Sequence, residues 1–546
     1  MRRKVLALAA ACALVLAGCS SLPSSGPVTS FERDIPDAES LVLKGYGPVA
    51  GSAPDILVRD FLRASAAGLS DDFQVARSYL TDRAKAAWRP ESQVQIYSDD
   101  QTPLVTGDGN TVSVSVGVGA VVTPDGSYEG QATAAKTTLE YKLTSNAQGQ
   151  WRIDELPDGV LLSQSSFHAV YTQVSVYFLA PDYRALVPDR RWYPLRRLES
   201  HLMQALIEGP SSDIASAVVS AIPDGARLPL QQVAVTAGTA NVELEGEYLV
   251  SPDQQEALKW QVTSTLAQVP GVTEVRVNNN GMSLDDVAIP PGPTWAMDKR
   301  VGFSKAGLVL RDRSFTSVVV PASEQPGAHS ASVGPVDSSP LAFINADKLF
   351  AVRPGSKPVQ ILAGEGISRP SIDRLDWIWT VVGNEVVATN PTGDDSVRIA
   401  SPWQDGRSLQ SISISPDGAR ALLRRDDDGS GSVWMAAVKR NAQGKPAGID
   451  VPRRVELDAA TVVDMSWAGN TSALILQQAN GAGKVTISSL GSVRESLDAP
   501  ADAIRISGGA TPQAVLLDTK NEVVYSRFGV SWRSSTTDLV GESYPH

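Results

Sequence analysis

The residue types that most often perform chemistry in proteins are sparse in this chain. Histidine, a common metal ligand and general base, occurs four times, at His168, His201, His329 and His546, and no two of these stand at zinc-site spacing. His201 continues the apolar face of a predicted helix, which favours a packed residue over a catalyst. The sequence contains no Gly-x-Ser-x-Gly elbow and no phosphate-binding loop. We therefore predict a protein that is not an enzyme and has no catalytic residues, metal or cofactor. A carboxylate pair for glycoside hydrolysis stays open, because its separation is a spatial property.

Two stretches have residue types suited to binding. The run Asp426–Gly431 resembles the start of a calcium loop, but the twelfth position, where an EF-hand requires glutamate, holds Ala437. A solvated hairpin tip is the favoured alternative. Trp377 and Trp379 form a second candidate, because aromatic residues are enriched at binding surfaces. The strands of an all-β domain also bury tryptophan, so both interpretations of this pair stay open.

Cys19 is the residue whose neighbours predict a specific covalent modification. A basic start, an apolar run over residues 5–17 and small residues before Cys19 are typical of a secretory signal. The run is too short for a good membrane-spanning helix. Leu16–Cys19 resembles a bacterial lipobox, which implies a signal peptide over 1–18 and a Cys19 that carries S-diacylglycerol and N-palmitoyl groups. The resemblance further implies a protein anchored by lipid to the extracytoplasmic face of the cell membrane. An ordinary signal peptide with a chance cysteine is the alternative.

Composition limits the partners of the mature protein. The chain has 546 residues and a net charge of −12, and removing a signal with three basic residues and no acidic one leaves −15. An acidic chain is poorly suited to nucleic acid, whose binding depends on lysine and arginine at phosphates. Besides Cys19 only Cys12 is present, and Cys12 lies in the signal, so the mature domains must be stable without disulfides. Residues 19–50 are rich in Ser, Pro and Gly and are interpreted as a tether.

Residues 51–160 predict an α+β domain. Apolar residues follow helical spacing from Leu57 to Ala64 and again from Phe73 to Leu80. Valines then alternate with small residues from Val112 to Val118, which predicts a half-buried strand. Helices followed by an antiparallel sheet resemble the nuclear-transport-factor-2-like cone. Such cones hold small ligands or serve as interaction domains, and the sequence shows no converging polar residues that would favour a ligand.

Residues 165–285 predict a second α+β domain. A strand is followed by a leucine-rich helix, a hairpin around Gly238, a second helix and a last strand. The order of these motifs resembles the GerMN domain, a small module of extracytoplasmic proteins. The stretches that carry the resemblance are Leu206–Pro210, Ala221–Gly225, the hairpin at 233–244, the helix with Leu258 and Leu266, and Pro270–Val275.

Residues 300–546 predict an all-β propeller. Short apolar strands are separated by Gly, Asp, Asn, Pro and Ser, and a hairpin pattern repeats every 40 to 50 residues. Its clearest copy is Ser411–Leu423, which alternates, turns at Pro416–Gly418 and alternates again. The turn is similar to those of TolB-like and WD-type blades, and the remaining length allows five or six blades. A β-sandwich is the alternative.

The order of anchor, cone-like domain, GerMN module and propeller resembles the actinobacterial LpqB lipoprotein family over essentially the whole chain. That resemblance implies an accessory protein that contacts the extracytoplasmic domain of the Mtr sensor histidine kinase and modulates its output, with effects on cell envelope and division. A peptidoglycan-binding lipoprotein without kinase contact and an envelope hydrolase are the other hypotheses. The residues that carry the resemblance are Leu16–Cys19, Ser24, Gly26, Pro27, Leu206–Pro210, Pro223, Gly225 and Ser415–Gly418.

Overall fold

The computed structural model describes residues 45–546, apart from residues 108, 250, 314, 404, 536 and 537. These residues fall within one compact unit, Leu43–His546. The predicted signal peptide, Cys19 and the tether up to residue 44 lie outside the described residues, and they stay predictions. Among the helices that the structure describes, none is long and apolar enough to span a membrane.

The N-terminal domain packs short helices against a six-stranded sheet. Its elements are α1 (Pro54–Ala66), α2 (Gln74–Arg77), α3 (Asp82–Ala87), β1 (Val94–Tyr97), β2 (Leu104–Thr106), β3 (Thr111–Val122), β4 (Tyr128–Ser145), β5 (Trp151–Glu155), β6 (Val160–Ser163) and α4 (Gln164–Val170), with 3₁₀ turns at Gly68–Ser70 and Pro90–Ser92. The strand order is β5-β4-β3-β1-β6, with β2 paired to β3 and with β1 parallel to β6.

The pattern that predicted this domain is seen in its core, with one correction. Leu57, Val58 and Phe61 of α1 are buried, as are the alternating valines of β3. The helix predicted from Phe73 to Leu80 is shorter in the structure, where α2 covers Gln74–Arg77 only. Asp72 and Phe73 both adopt the left-handed backbone conformation, with φ of 55° and 59°, and a right-handed helix cannot pass through them. The helix therefore begins at Gln74, and the ring of Phe73 packs at 5.7 Å from that of Trp88.

The middle domain contains two sheets and two long helices. Its elements are β7 (Tyr171–Leu179), β8 (Leu186–Pro194), α5 (Leu198–Glu208), β9 (Ala234–Thr236), β10 (Thr239–Leu244), α6 (Pro252–Leu266), β11 (Glu274–Asn279) and β12 (Met282–Ser283), with a 3₁₀ turn at Ala215–Ala217. β7 and β8 form an antiparallel hairpin, and the second sheet has the order β12-β11-β10-β9 with β10 parallel to β11. The predicted helices, the hairpin at 233–244 and the last strand are confirmed. β8 was not predicted, because Asp189–Arg191 interrupt its apolar pattern.

Six antiparallel sheets form the C-terminal domain. The first contains β13 (Arg300–Ser304), β14 (Gly307–Arg311), β15 (Thr316–Pro321) and the last strand, and the second contains β16 (His329–Val333), β17 (Leu341–Asn345), β18 (Lys348–Val352) and β19 (Val359–Ala363). The third contains β20 (Ser371–Ile372), β21 (Ile378–Val382), β22 (Glu385–Thr389) and β23 (Ser396–Ala400), and the fourth β24 (Leu409–Ile414), β25 (Arg420–Arg425), β26 (Ser432–Arg440), β27 (Pro446–Ile449) and β28 (Arg453–Arg454). The fifth contains β29 (Thr461–Ala468), β30 (Ser472–Ala479), β31 (Ala482–Ser489) and β32 (Glu495–Ala499), and the sixth β33 (Ala503–Gly508), β34 (Val515–Thr519), β35 (Val524–Phe528) and β36 (Ser531–Ser534), before β37 (Val540–Ser543).

The six sheets close into a ring. The first strand of each sheet contacts the first strand of the next, and β33 of the sixth sheet contacts β37. β37 pairs with β13 and thereby joins the end of the chain to the first sheet. This arrangement is a six-bladed propeller closed by its last strand, so the β-sandwich alternative is wrong. The predicted fold class, two α+β domains followed by an all-β propeller, is confirmed.

Candidate functional site

The acidic run at Asp426–Gly431 forms the turn between β25 and β26, as the hairpin-tip alternative predicted. Asp427 accepts a hydrogen bond of 2.8 Å from Arg425 Nε, and the side chain of Asp428 is 91% exposed. The turn also carries a local contact, because Asp426 Oδ1 accepts from the backbone N–H of Gly429. Among the described residues, no group of three or more His, Cys, Asp or Glu side chains is placed to hold a metal ion.

The two candidate tryptophans belong to the propeller interior. Trp379 is fully buried, and its indole Nε1 donates to the carboxylate of Asp373 at 2.7 Å. The same carboxylate pairs with Arg440 at 2.5 Å, and the guanidinium lies 5.4 Å from the indole centroid. Trp377 is also buried. The interpretation of this pair as a binding surface is therefore wrong, and the pair stabilises a blade.

The four histidines occupy unrelated places. His201 on α5 is half-buried and stacks on Tyr193, with ring centroids 5.9 Å apart, and burial lowers the pKa of its imidazole. This is the rim position that its helix pattern favoured. His168 lies exposed on α4, His329 is exposed at the start of β16, and His546 is buried after β37.

The strongest polar arrangement lies where the propeller meets the hairpin of the middle domain. Asp182, in the β7–β8 turn, forms two hydrogen bonds of 2.6 and 2.9 Å with the guanidinium of Arg374, in the β20–β21 loop. Both side chains are nearly inaccessible, at 7% and 4% exposure. Burial alone would raise the pKa of Asp182, but its hydrogen bonds and charge interaction with Arg374 outweigh that effect and lower it. The pair therefore joins two domains through charges that have left water together.

The Ser415–Arg420 turn, recognised in the sequence as a blade turn, also takes part in this contact. Ser415 Oγ donates to Asp417 at 2.5 Å, which fixes the turn internally. Arg374 Nε donates to the backbone carbonyl of Asp417 at 3.1 Å. Arg420 then reaches across the domain boundary and donates to the carbonyl of Pro188 on β8 at 2.6 Å. The turn thus positions two arginines against one hairpin.

A second contact joins the base of the same hairpin to the fifth blade. The amide of Gln173 on β7 donates to the carbonyls of Leu490 and Gly491, each at 2.8 Å. Trp192 Nε1 on β8 donates to the Gly491 carbonyl at 2.5 Å. The guanidinium of Arg190 donates to the side-chain oxygen Oε1 of Gln173 at 2.6 Å and thereby orients the Gln173 amide. The hairpin is therefore held to the third, fourth and fifth blades by directional bonds.

The N-terminal domain is also attached to β8 and to the residues that follow it. The hydroxyl of Tyr193 donates to the Asp125 carbonyl at 2.6 Å, and the Trp192 backbone N–H donates to the Gly126 carbonyl at 2.8 Å. Arg196 forms an ion pair of 2.8 Å with Asp72. Strand β8 consequently contacts the other two domains, and we call this region the three-domain junction.

Two clefts open at the three-domain junction. One, of about 610 Å³, lies between α4, strands β1 and β3 and the fifth blade; we call it the aromatic cleft, after Tyr97, Tyr128, Phe167 and Trp192 in its lining. The other, of about 330 Å³, contains Asp189, Asp213, Arg420 and Arg453, and we call it the charged cleft. In the charged cleft, the hydroxyls of Ser211 and Ser127 donate to the carboxylates of Asp189 and Asp125 at 3.0 and 2.8 Å, and Asp189 also pairs with Arg191. The contacts described above hold the three domains together at the junction.

The sequence does not indicate which residues form the contacts between the domains. Asp182 and Arg374 are 192 residues apart in the chain, and a single sequence gives no sign that two such positions meet. One signal was present: charged residues at Asp189–Arg191 in a stretch bounded by apolar residues indicate polar groups that need buried partners. Arg191 meets that need by pairing with Asp189 at 2.7 Å.

Comparisons with known proteins cover the three domains. Family models match residues 47–168 (Lipoprotein LpqB, N-terminal domain), 175–285 (Sporulation and spore germination) and 307–546 (Lipoprotein LpqB beta-propeller domain). The chain is 30% identical to the lipoprotein LpqB of Nocardia farcinica, over 86% of this chain and 84% of the relative. It is 26% identical to that of Cutibacterium acnes over 89% and 88% of the two chains, and 26% identical to that of Mycobacterium tuberculosis over 97% and 96%.

Proposed function

The chain belongs to the LpqB family of lipoproteins, and from that premise we propose that it binds the extracytoplasmic domain of an Mtr-type sensor histidine kinase and modulates its activity. The observation that carries the proposal is the likeness to this family over all three domains. The proposed role is that of a non-catalytic accessory, with effects on cell envelope and division.

The proposed anchor is Cys19, modified with S-diacylglycerol and N-palmitoyl groups after removal of residues 1–18. The acyl chains hold the protein at the extracytoplasmic face of the cell membrane, because chains of this length at one terminus bind lipid stably when several act together. Residues 19–50 act as the tether. It keeps the folded domains close to any sensor domain on the same face.

Tethering supplies affinity without additional contacts. A flexible linker of moderate length gives an effective concentration on the order of millimolar between attached partners. At that effective concentration, even a weak complex between the ectodomain and the sensor domain is mostly formed. To alter kinase output, the ectodomain must bind one signalling state more tightly than the other, since a ligand with equal affinity for both states shifts no equilibrium.

The three-domain junction supports this mechanism physically. Because the buried Asp182–Arg374 pair and the bonds to Leu490 and Gly491 join the domains, a contact made by one domain restrains all three. A rigid ectodomain loses less conformational entropy on binding than three independently moving domains would. More of the contact energy then remains to favour one kinase state.

The test is reconstitution of the full-length kinase in nanodiscs with the lipidated protein. We expect the wild type to change the rate of autophosphorylation. Cys19→Ser should require at least about tenfold more protein for the same effect, because it loses the tether contribution. Cys12→Ser is the matched control: it removes the other cysteine, which lies within the signal, and should behave as wild type. An unchanged autophosphorylation rate at saturating wild-type protein, with no crosslink to the sensor domain, would reject the kinase proposal.

A further inference from the structure

The aromatic cleft has an apolar floor built from the N-terminal and middle domains. The rings of Phe167 and Trp192 lie 4.8 Å apart, and Tyr128 packs 6.3 Å from Trp192. Both Phe167 and Trp192 are buried, so they form the base of the cleft, and half-buried Tyr97 and Tyr128 line it. The volume of about 610 Å³ falls in the range of about 300–1,000 Å³ found for small-ligand sites.

Several polar groups around this floor have no partner in the protein. Within the described part of the chain, the side chains of six lining residues form no hydrogen bond to another protein group: Tyr97, Ser98, Tyr128, Gln164, His168 and Ser496. Hydroxyl, amide and imidazole groups each donate and accept hydrogen bonds. They come from β1, β4, α4 and the fifth blade, and they converge on one space.

The charged groups of the aromatic cleft are already engaged. Asp458 pairs with Lys484 at 2.5 Å, and Glu495 lies 3.6 Å from Arg527. Arg494 donates to the carbonyl of Glu456, and its positive charge adds to the hydrogen bond from Lys484 in lowering the pKa of Asp458. The free groups are therefore uncharged hydroxyl, amide and imidazole side chains. This composition favours an uncharged ligand that itself carries many groups able to donate and to accept.

The other clefts differ in this respect. In the charged cleft, Asp213 pairs with Arg453 at 2.6 Å, and Arg420 donates to the carbonyl of Pro188. The cleft between α5 and the N-terminal domain is bridged by the Arg196–Asp72 pair. These contacts hold the domains together. The aromatic cleft combines an apolar floor with free polar groups, which is the arrangement typical of a ligand site.

We propose that the aromatic cleft binds a neutral oligosaccharide. The C–H face of a pyranose ring packs on an aromatic surface, whose face carries partial negative charge. Sugar hydroxyl groups donate and accept hydrogen bonds, as do the free groups of the cleft. This site involves the N-terminal domain, the middle domain and the fifth blade together, so occupation by a sugar chain also restrains the three-domain junction. The inference is independent of the proposed kinase contact.

Titration of the full-length protein with two probes tests the site. We would measure binding of N-acetylglucosamine tetramer and of cellotetraose by calorimetry and by saturation-transfer NMR. At least one should bind, and Tyr128→Phe and Gln164→Ala should each weaken it about fivefold, the effect of losing one hydrogen bond of about 1 kcal/mol. In Trp192→Ala, which also removes the bond to Gly491, binding should be abolished.

Tyr183→Phe provides the matched control. Tyr183 lies in the β7–β8 turn, outside the aromatic cleft, and the substitution removes the same hydroxyl. It should leave sugar binding unchanged. The proposal fails if neither probe binds the wild type, or if Tyr128→Phe and Gln164→Ala, shown to be folded by thermal unfolding, bind as well as wild type. Because no kinase is present, failure here is separate from failure of the kinase proposal.

Discussion

Replacing Arg374 with methionine removes one charge of the buried pair that joins the propeller to the middle domain. Methionine retains an apolar stem of similar length, so the main loss is the guanidinium. Asp182 then stays in its buried place with the backbone N–H of Arg184, at 3.3 Å, as its remaining partner. The variant thus isolates the energetic consequence of an unpaired carboxylate at the three-domain junction.

The magnitude follows from the burial and the geometry of the pair. Two hydrogen bonds of 2.6 and 2.9 Å join side chains of 7% and 4% exposure. Removing one partner of such a pair typically costs about 3–5 kcal/mol. At about 1.4 kcal/mol per factor of ten, docking of the hairpin on the propeller should weaken by roughly two to three and a half orders of magnitude.

The loss of stability in Arg374→Met should depend on pH. In the wild type, the pKa of Asp182 is lowered, so its contribution to stability is present above the unfolded value near 3.8 and is lost as pH falls through the lower folded pKa. In Arg374→Met, only hydrogen bonds from backbone N–H groups oppose the effect of burial, so we expect the pKa of Asp182 to rise above its unfolded value. The carboxyl then takes up a proton on folding, and the difference from wild type should be largest at neutral pH and shrink as pH falls towards 3.8.

Hydrogen exchange of the β7–β8 turn, together with urea unfolding, measures this effect. We expect faster exchange around Ala180–Arg184 at pH 7, and less difference from wild type near pH 4. The double variant Asp182→Asn, Arg374→Met should lose less stability at neutral pH than Arg374→Met, because no buried charge is left unpaired. A cost below about 1 kcal/mol with no dependence on pH, or a double variant as unstable as the sum of the single variants, would refute the reasoning.

Three other variants test two buried titratable residues of the propeller and the contact between the hairpin and the fifth blade. Burial raises the pKa of Asp518 from 3.8 to about 6. The stability that its protonated carboxyl contributes is therefore complete below pH 3.8 and is lost as pH rises through 6. In urea unfolding, Asp518→Asn should be more stable than wild type by up to about 3 kcal/mol above pH 6 and equal to it below pH 4. Burial, with Arg369 nearby, lowers the pKa of His546 to about 3, so the neutral ring is stabilising above 6.5 and its contribution is lost as pH falls. Between pH 7 and pH 5, the free energy of unfolding of His546→Gln should therefore fall by about 2 kcal/mol less than that of the wild type. The same dependence of unfolding free energy on pH in both proteins would contradict this. Gln173→Ala leaves the carbonyls of Leu490 and Gly491 without the donor that this amide provides, and it should lower stability by about 1–3 kcal/mol. We expect faster hydrogen exchange of the backbone amides in residues 490–493. Unchanged exchange there would show that the contact contributes little to stability.

Much of the fold could be predicted from local patterns. The alternating valines of β3 and the Pro416–Gly418 turn between β24 and β25 depend on neighbours in the chain, so their periodicity is visible in the sequence. The prediction failed where local rules were overridden. Asp72 and Phe73 take left-handed conformations that bring Phe73 into the core, and β8 buries charges that only paired partners make tolerable.

Most of the candidate site could not be predicted from the sequence. Two of the binding candidates, the acidic run and the tryptophan pair, are a hairpin tip and a buried blade residue pair. Gln173 and Trp192, which hold the fifth blade, showed no distinguishing pattern. Their partners lie near residue 490, and their role depends on carbonyl groups, which every residue has.

By itself the sequence determined the order of domains, the strand and helix periodicities, the blade turns and the family to which the chain belongs. It also predicts the lipid anchor at Cys19. The tertiary structure decided the number of blades, the closure of the ring by β37, the buried Asp182–Arg374 pair and the aromatic cleft. The physical reason is distance along the chain: periodicity records which face of an element is buried, whereas the partners that share a buried charge or line a cleft come from segments separated by hundreds of residues.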